Sequence, residues 1–377
     1  MKRLFQTFLK VEGKNIKFKA AFIVLILTII GCLTYLNKGI FNDLEGSTAS
    51  EVVSLNSALD QFRKVDATDS EHASPLYKNL IQQSNDLANR TLGITFNDSE
   101  TTIEGSLELA KERNKIYEMN GFEEVEEYIP SFRLNVLDTV KYEALDKENK
   151  SVYFKNNNFP SYILLVFTVL GYFWYLYCGI LSSDILLNDE RHSSIVKNYP
   201  FTMAEKLLVK TLNYIVLLVS FLTIGIIVAI LIGVIKFDSD FYYPIAILGT
   251  GFQTVSVTSF IVISWIYLII LTIIAVLVSV VLNYFIKNLY IVIFIHIGIF
   301  MLGNLSGAIT KLTWMLPYHY LNYTNLFSGV IFEQSDTLKS NILFGGISLI
   351  ITCLLIISFI LIRFHLSNMK PLNKEVR

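Results

Sequence analysis

Long apolar runs set the limits on what this chain can fold into. One lies near the N-terminus, a polar stretch from residue 37 to 159 follows, and five more runs fill most of the remainder. A helix needs about 20 residues to cross the hydrocarbon core of a bilayer, and each run is near that length. Backbone N–H and C=O groups in lipid must pair within their own segment, so such runs fold as helices. The expected fold class is an all-α membrane protein: six transmembrane helices, with a mainly helical domain hung between the first two. The expected spans are 18–35, 162–181, 207–235, 261–286, 289–305 and 342–362.

Composition agrees with this. The chain is 53% hydrophobic and 17% charged, with a mean hydropathy of +0.50, which argues against a soluble globular enzyme. Its first run reads as a retained span rather than a signal peptide. The run is too long for an h-region, and Lys38 followed by Phe41 is no small-residue cleavage site. Cys32, Cys178 and Cys353 all fall in apolar runs and the polar stretch has no cysteine, so that domain is not stapled by disulfides.

The net charge of -1 hides an asymmetry. Residues 38–155 carry 13 Lys/Arg against 22 Asp/Glu, a net of −9, and the rest of the chain is net +8. The basic excess sits in four places: Lys2 to Lys19, the loop with Arg191, Lys197, Lys206 and Lys210, the joint at Lys287, and the tail from Arg363. With six spans all four fall on one side, and the positive-inside rule makes that side cytoplasmic. The expected layout is a multi-pass protein of the plasma membrane with both termini cytoplasmic. Residues 1–17 form a cytoplasmic interfacial helix, 18–36 the first span, 37–159 the extracellular domain, and 160–377 spans two to six. In residues 1–17, Leu4, Phe5, Phe8 and Leu9 recur at helical spacing among lysines and Arg3, which fits an amphipathic interfacial helix. An ordinary charged flank is the alternative.

Within the polar domain, Ser74-Pro75 has the form of a helix start, with Leu76, Leu80 and Leu87 as its apolar stripe. A second helix is expected from Thr101 or Thr102 to a stop at Asn120-Gly121, and a third over 131–147. Glu123, Glu124, Glu126 and Glu127 form the densest acidic cluster. It reads as a solvated helix start, with attraction of cationic peptides as the sharper alternative. His72 has no second histidine nearby, so no metal site is expected.

The loop after the second span carries the most specific pattern. Within 182–206, Asp189, Glu190, Arg191 and His192 form a charged cluster, Ile195 and Val196 an apolar stretch, and Pro200 a stop. Lys206 and Lys210 then lead into the third span. This order resembles the type-2 permease class of bacterial ATP-binding-cassette (ABC) transporters. Asp189 and Glu190 match that family's acidic start, Ile195 and Val196 its apolar stretch, and Pro200 and Lys210 its later points. Ser193-Ser194 stands where Gly-Thr is common, and Thr202-Met203 where Ser-Arg is common. The resemblance extends to Tyr243-Pro244, to Asn283 through Asn288, and to Leu316-Pro317-Tyr318 with Tyr320-Leu321-Asn322.

The resemblance implies a permease subunit that pairs with a second permease subunit, as a homo- or heterodimer, and docks a separate ABC ATPase on this loop. ATP and Mg²⁺ would belong to that ATPase, with no cofactor in this chain and no nucleic-acid partner. Gly13-Lys14 lacks the surroundings of a P-loop, so the chain is expected to be a transport subunit and not an enzyme. Its implied cargo is amphiphilic: a peptide, a drug or a lipid. A sodium exporter is an alternative within the class.

His296 lies in the fifth run, where an ionisable side chain is a functional candidate, with a helix-packing hydrogen bond as the rival reading. With Tyr172, Trp174 and Tyr175 of the second span it is a candidate substrate path. Gly298, Gly303 and Gly307 suggest close helix approach, between subunits or within one. Trp314, Tyr318, His319, Tyr320 and Tyr323 read as an aromatic interface belt. The reading from another class is a membrane sensor or assembly scaffold that binds a ligand through the outer domain.

Overall fold

The computed structural model describes residues 2–38, 43–62, 74–187, 203–304, 316–335 and 341–368. Helix α1 (Lys2–Lys14) leads through Asn15, which caps α2 (Ile16–Asn37), the first long apolar helix. The polar domain follows as α3 (Leu44–Phe62), α4 (Pro75–Phe96), α5 (Ser99–Ile116) and α6 (Phe132–Lys147). Two 3₁₀ turns, Phe122–Glu124 and Glu126–Tyr128, join α5 to α6. The chain returns to apolar sequence in α7 (Phe159–Ser182) and α8 (Met203–Lys236). A hairpin of β1 (Pro244–Leu248) and β2 (Phe252–Ser256) comes next, then α9 (Val257–Phe285) and α10 (Leu289–Asn304). A 3₁₀ turn, Pro317–Leu321, leads to the short helices α11 (Tyr323–Phe327) and α12 (Val330–Ser335), and α13 (Ile342–Asn368) closes the chain.

Helices α2, α7, α8, α9 and α13 are long and apolar enough to cross a membrane. The fold is therefore that of a helical multi-span membrane protein. Helix α10, expected as the fifth span, has 16 residues and is shorter than these five. The hairpin was not anticipated by an all-α reading. It pairs antiparallel from Pro244↔Ser256 to Leu248↔Phe252, and the Ser256 side chain then caps α9.

Each spanning helix buries one stripe and leaves apolar side chains on the other. In α2, Phe18, Ala21, Leu25, Ile29, Cys32 and Leu36 recur every three or four residues and are buried, whereas Ile23, Val24 and Leu27 are exposed. That is the pattern of a helix with protein on one side and lipid on the other. Helices α7 and α9 lie at the centre, each with more than half of its apolar stretch buried.

In the polar domain, local signals set the boundaries. Ser74 accepts a hydrogen bond from the Tyr77 N–H at 3.2 Å and Pro75 takes the first helical position. Asp98 rather than Thr101 or Thr102 caps the next helix, accepting from the Glu100 N–H at 3.1 Å. Helix α5 ends at Ile116, short of the expected stop, and Gly121 instead starts the first 3₁₀ turn with φ 85°. The four clustered glutamates are exposed on these turns, not on the start of an α-helix. Helices α4 and α5 cross closely because Gly105 has no Cβ, which would lie 2.7 Å from the Arg90 nitrogen. Helix α3 carried no strong signal and was missed.

The polar domain is fastened to segments that connect the spanning helices. The Arg133 guanidinium pairs with Glu333 at 3.0 Å and donates to the Ser328 carbonyl at 2.8 Å. Ser131 also donates to Glu333, and Lys150 to the Tyr242 carbonyl.

Candidate functional site

Three places gather polar chemistry. The first is the end of the bundle from which α7 leaves and α8 starts. Lys17 Nζ pairs with Asp184 Oδ1 at 2.5 Å, and the Tyr214 hydroxyl donates to the same oxygen at 3.4 Å. The Lys17 ammonium also lies 5.3 Å from the Phe18 ring centre. Helix α1 packs across the start of α8, and Glu12 and Lys210 are 7% and 3% exposed. Burial raises the Glu12 carboxyl above its usual range, partly offset by Lys210 and Lys17. Asp189, Glu190, Arg191, Ile195, Val196 and Pro200 lie outside the described residues. Of the expected coupling residues only Lys210 is placed, beneath α1 with its ammonium 6.0 Å from the Phe8 ring centre.

The second place is inside the bundle. The Tyr175 hydroxyl lies 3.1 Å from His296 Nδ1, His296 Nε2 lies 2.8 Å from Ser279 Oγ, and that oxygen lies 2.7 Å from Ser182 Oγ. The line therefore runs from α7 through α10 and α9 and back to α7. Both ring nitrogens of His296 are engaged, so the imidazole holds three helices together. It fits only because Gly179 faces it: a Cβ there would lie 2.7 Å from Nδ1. Beside this line Trp174 Nε1 donates to Thr272 Oγ1 at 2.8 Å, and Asn283 Nδ2 donates to the Ser183 and Ser279 carbonyls at 2.8 Å each.

Of the four residues expected along a substrate path, the fold joins Tyr175 and His296 directly. Trp174 is turned toward α9, and Tyr172 makes an edge contact with Phe300 at 5.5 Å. Thr272 and Ser279 were not singled out from the sequence, and Asn283 only as part of the family resemblance, not for this line. Their spacing of seven and four residues puts them on one face of α9, which was the available signal. The glycines resolve individually. A Cβ on Gly303 would lie 2.5 Å from the Tyr318 carbonyl oxygen, a close approach within the subunit, whereas Gly298 meets nothing within 4 Å. Gly307 and Trp314 lie outside the described residues. Tyr320 and Tyr323 are core residues rather than part of a belt, and Tyr323 stacks on Tyr267 at 4.6 Å.

The third place is a cleft of about 520 Å³ in the polar domain, between α3, α6 and the second 3₁₀ turn. Glu51 and the buried Arg90 are among the residues that line it. Arg90 Nη1 and Arg113 Nη2 both reach Glu51 Oε2, at 3.2 and 2.9 Å. Among the described residues no group of three or more His, Cys, Asp or Glu side chains is placed to hold a metal ion.

No protein-family model, curated protein or solved structure matches this chain.

Proposed function

We propose that this chain is the permease subunit of an ATP-driven ABC exporter, moving an amphiphilic peptide, drug or lipid, and coupled to a separate ATPase through residues 182–206. One observation supports this above the others. The segment with the Asp189, Glu190 and Pro200 pattern springs from α7 and α8, whose ends are tied to α1 and α2 through Asp184–Lys17 and the buried Glu12 and Lys210. A push delivered to that segment would thus move several helices as one unit. Passing a push between distant sites needs such an element, one that both sites bias.

In this reading ATP and Mg²⁺ sit on the partner ATPase, a second permease subunit completes the pathway, and access alternates at their interface. Both termini and residues 182–206 face the cytoplasm of a bacterial cell, with 37–159 outside. Helix α10 is the fifth of six spans. At 1.5 Å per residue it covers about 24 Å, less than a core of about 30 Å, so it would cross where neighbouring segments or a thinned bilayer make up the difference. The sensor reading draws on the polar domain's cleft, and it does not need residues 182–206.

Affinity purification from the native membrane, followed by mass spectrometry, separates the two. A P-loop ATPase should co-purify, and the double variant Glu190→Ala, Pro200→Ala should lose it. Repeated absence of an ATPase, with another protein retained through the polar domain, would replace the exporter by the sensor.

A further inference from the structure

At the end of the bundle where α7 and α9 finish and α8 begins, a narrow groove runs between helices. Leu186 just after α7, Leu207 of α8, Val281 of α9 and Phe359 of α13 line it, and its only polar side chains are Tyr284 and Arg363. Tyr284, Phe359 and Arg363 are exposed, so the groove opens on the outer surface of the bundle. An apolar surface there meets lipid rather than water.

Arg363 ends the 22-residue apolar stretch of α13, Ile342–Arg363. At 1.5 Å per residue that stretch covers about 33 Å, slightly more than a hydrocarbon core of about 30 Å, so Arg363 emerges at the level of the lipid headgroups. Its guanidinium is held in place. Nε donates to the Tyr284 hydroxyl at 3.3 Å, and the group lies 5.8 Å from the centre of that ring. This leaves the paired Nη groups, the part of arginine that grips a phosphate in bidentate fashion. Among the described residues no carboxylate pairs with Arg363. Lys287, exposed in the joint after α9, adds positive charge at the same end. The occupant must therefore be apolar along the groove and anionic beside Arg363. A second copy in the same orientation would set another Arg363 and Lys287 at this height, where like charges repel. A free anion would leave the groove unfilled.

We propose that this groove holds a phospholipid with a net negative headgroup. Its phosphate is received by the Arg363 Nη groups, and one acyl chain lies along Leu186, Leu207 and Val281. Basic sites between membrane helices are a known mode of anionic-lipid recognition. The bound lipid ties α13 to α7, α8 and α9 at the end from which residues 188–202 spring. The inference rests on the spanning helices and not on the exporter reading.

The test uses the full chain purified in detergent and offered equal amounts of phosphatidylglycerol and phosphatidylcholine with the same acyl chains. The lipid that stays bound is counted by native mass spectrometry. The unaltered chain should retain phosphatidylglycerol in about fivefold excess. Arg363→Gln should bring the two lipids close to equal, and Arg363→Lys should keep part of the excess. Val281→Trp fills the groove without changing the charge and should lower phosphatidylglycerol retention about fourfold. Equal retention of both lipids by the unaltered chain would overturn the proposal, as would an excess that survives Arg363→Gln. Retention unchanged by Val281→Trp, or displacement of the lipid by millimolar glycerol phosphate, would also overturn it, because headgroup charge alone would then account for binding. If Arg363→Gln does not fold, the Val281→Trp result decides. Failure here leaves ATPase co-purification unaffected, so the two readings fall separately.

Discussion

The polar domain and the spanning bundle solve the same problem, how to bury polar groups, in opposite ways. The domain uses full charges: Arg90 and Arg113 are nearly enclosed and share Glu51. The interior of the bundle, away from the charged end at Glu12 and Lys210, uses neutral groups, joining Tyr175, His296, Ser279 and Ser182 in a line with Thr272 and Asn283 beside it. Burying an ion costs several kcal/mol even after relaxation, and in lipid there is no water nearby to share that cost. Hydroxyl, amide and imidazole groups carry less desolvation penalty, so the bundle tolerates the loss of any one of them better than the domain tolerates the loss of Glu51.

That contrast can be broken by substitution. Glu51→Ala strands two buried guanidinium groups and should cost about 3–5 kcal/mol, the usual cost of removing one partner of a buried pair. The loss should appear as faster hydrogen exchange across α4 and α5, and a cost below about 1 kcal/mol would reduce the triad to a surface-type pair. Gly179→Leu forces a side chain into the space of the His296 ring and should cost about 1–3 kcal/mol by overpacking, measured as thermal unfolding in detergent. Ser279→Ala should cost only about 0.6 kcal/mol, the average for interhelical hydrogen bonds in membranes. A loss above about 2 kcal/mol in a denaturant titration would erase the distinction between the two regions.

A smaller effect concerns pH. Asp86 is buried in α4 and accepts from Gln82 Nε2 at 2.9 Å. Burial, with Glu108 and Glu112 nearby, raises its carboxyl above the ordinary range. The fold therefore favours the protonated form. Its contribution to stability is full below the ordinary carboxylate pKa and is lost as pH rises through the raised value. Asp86→Asn should raise the melting temperature near neutral pH and leave it unchanged in acid. A lower melting temperature at neutral pH would mean that the charge stabilises the domain.

Much of the bundle was legible because lipid makes the rules strict. A long apolar run has one folded solution, and the five long helices lie where the runs are, with ends shifted by a few residues. Ser74-Pro75 fixed the start of α4 for a similarly local reason. The rest depended on tertiary partners. Helix α3 has a weak stripe of Leu55, Ala58 and Leu59 that becomes a core face only against α4. The hairpin pairs two five-residue segments either side of Gly249 and Gly251, too short to stand out between two long apolar runs. Within the site, His296 was visible as an isolated polar residue. Of its partners only Tyr175 was, because Ser182, Ser279 and Gly179 become significant only when three helices meet at the ring. The cleft was least legible of all: Glu51, Arg90 and Lys141 come from three helices, with no spacing that links them.

The proposed function stands on residues 188–202 and the polar domain lying on opposite faces of the bilayer, separated by α7. The native cysteines are buried in apolar helices, which leaves a low background for labelling. Single cysteines at Asn89 and Asn198 should therefore be tested with a membrane-impermeant maleimide in intact cells and again after lysis. Labelling of Asn89→Cys in intact cells, with Asn198→Cys labelled only after lysis, is the expected result. Labelling of both positions from outside would contradict the layout and, with it, any docking of a cytoplasmic ATPase on this loop.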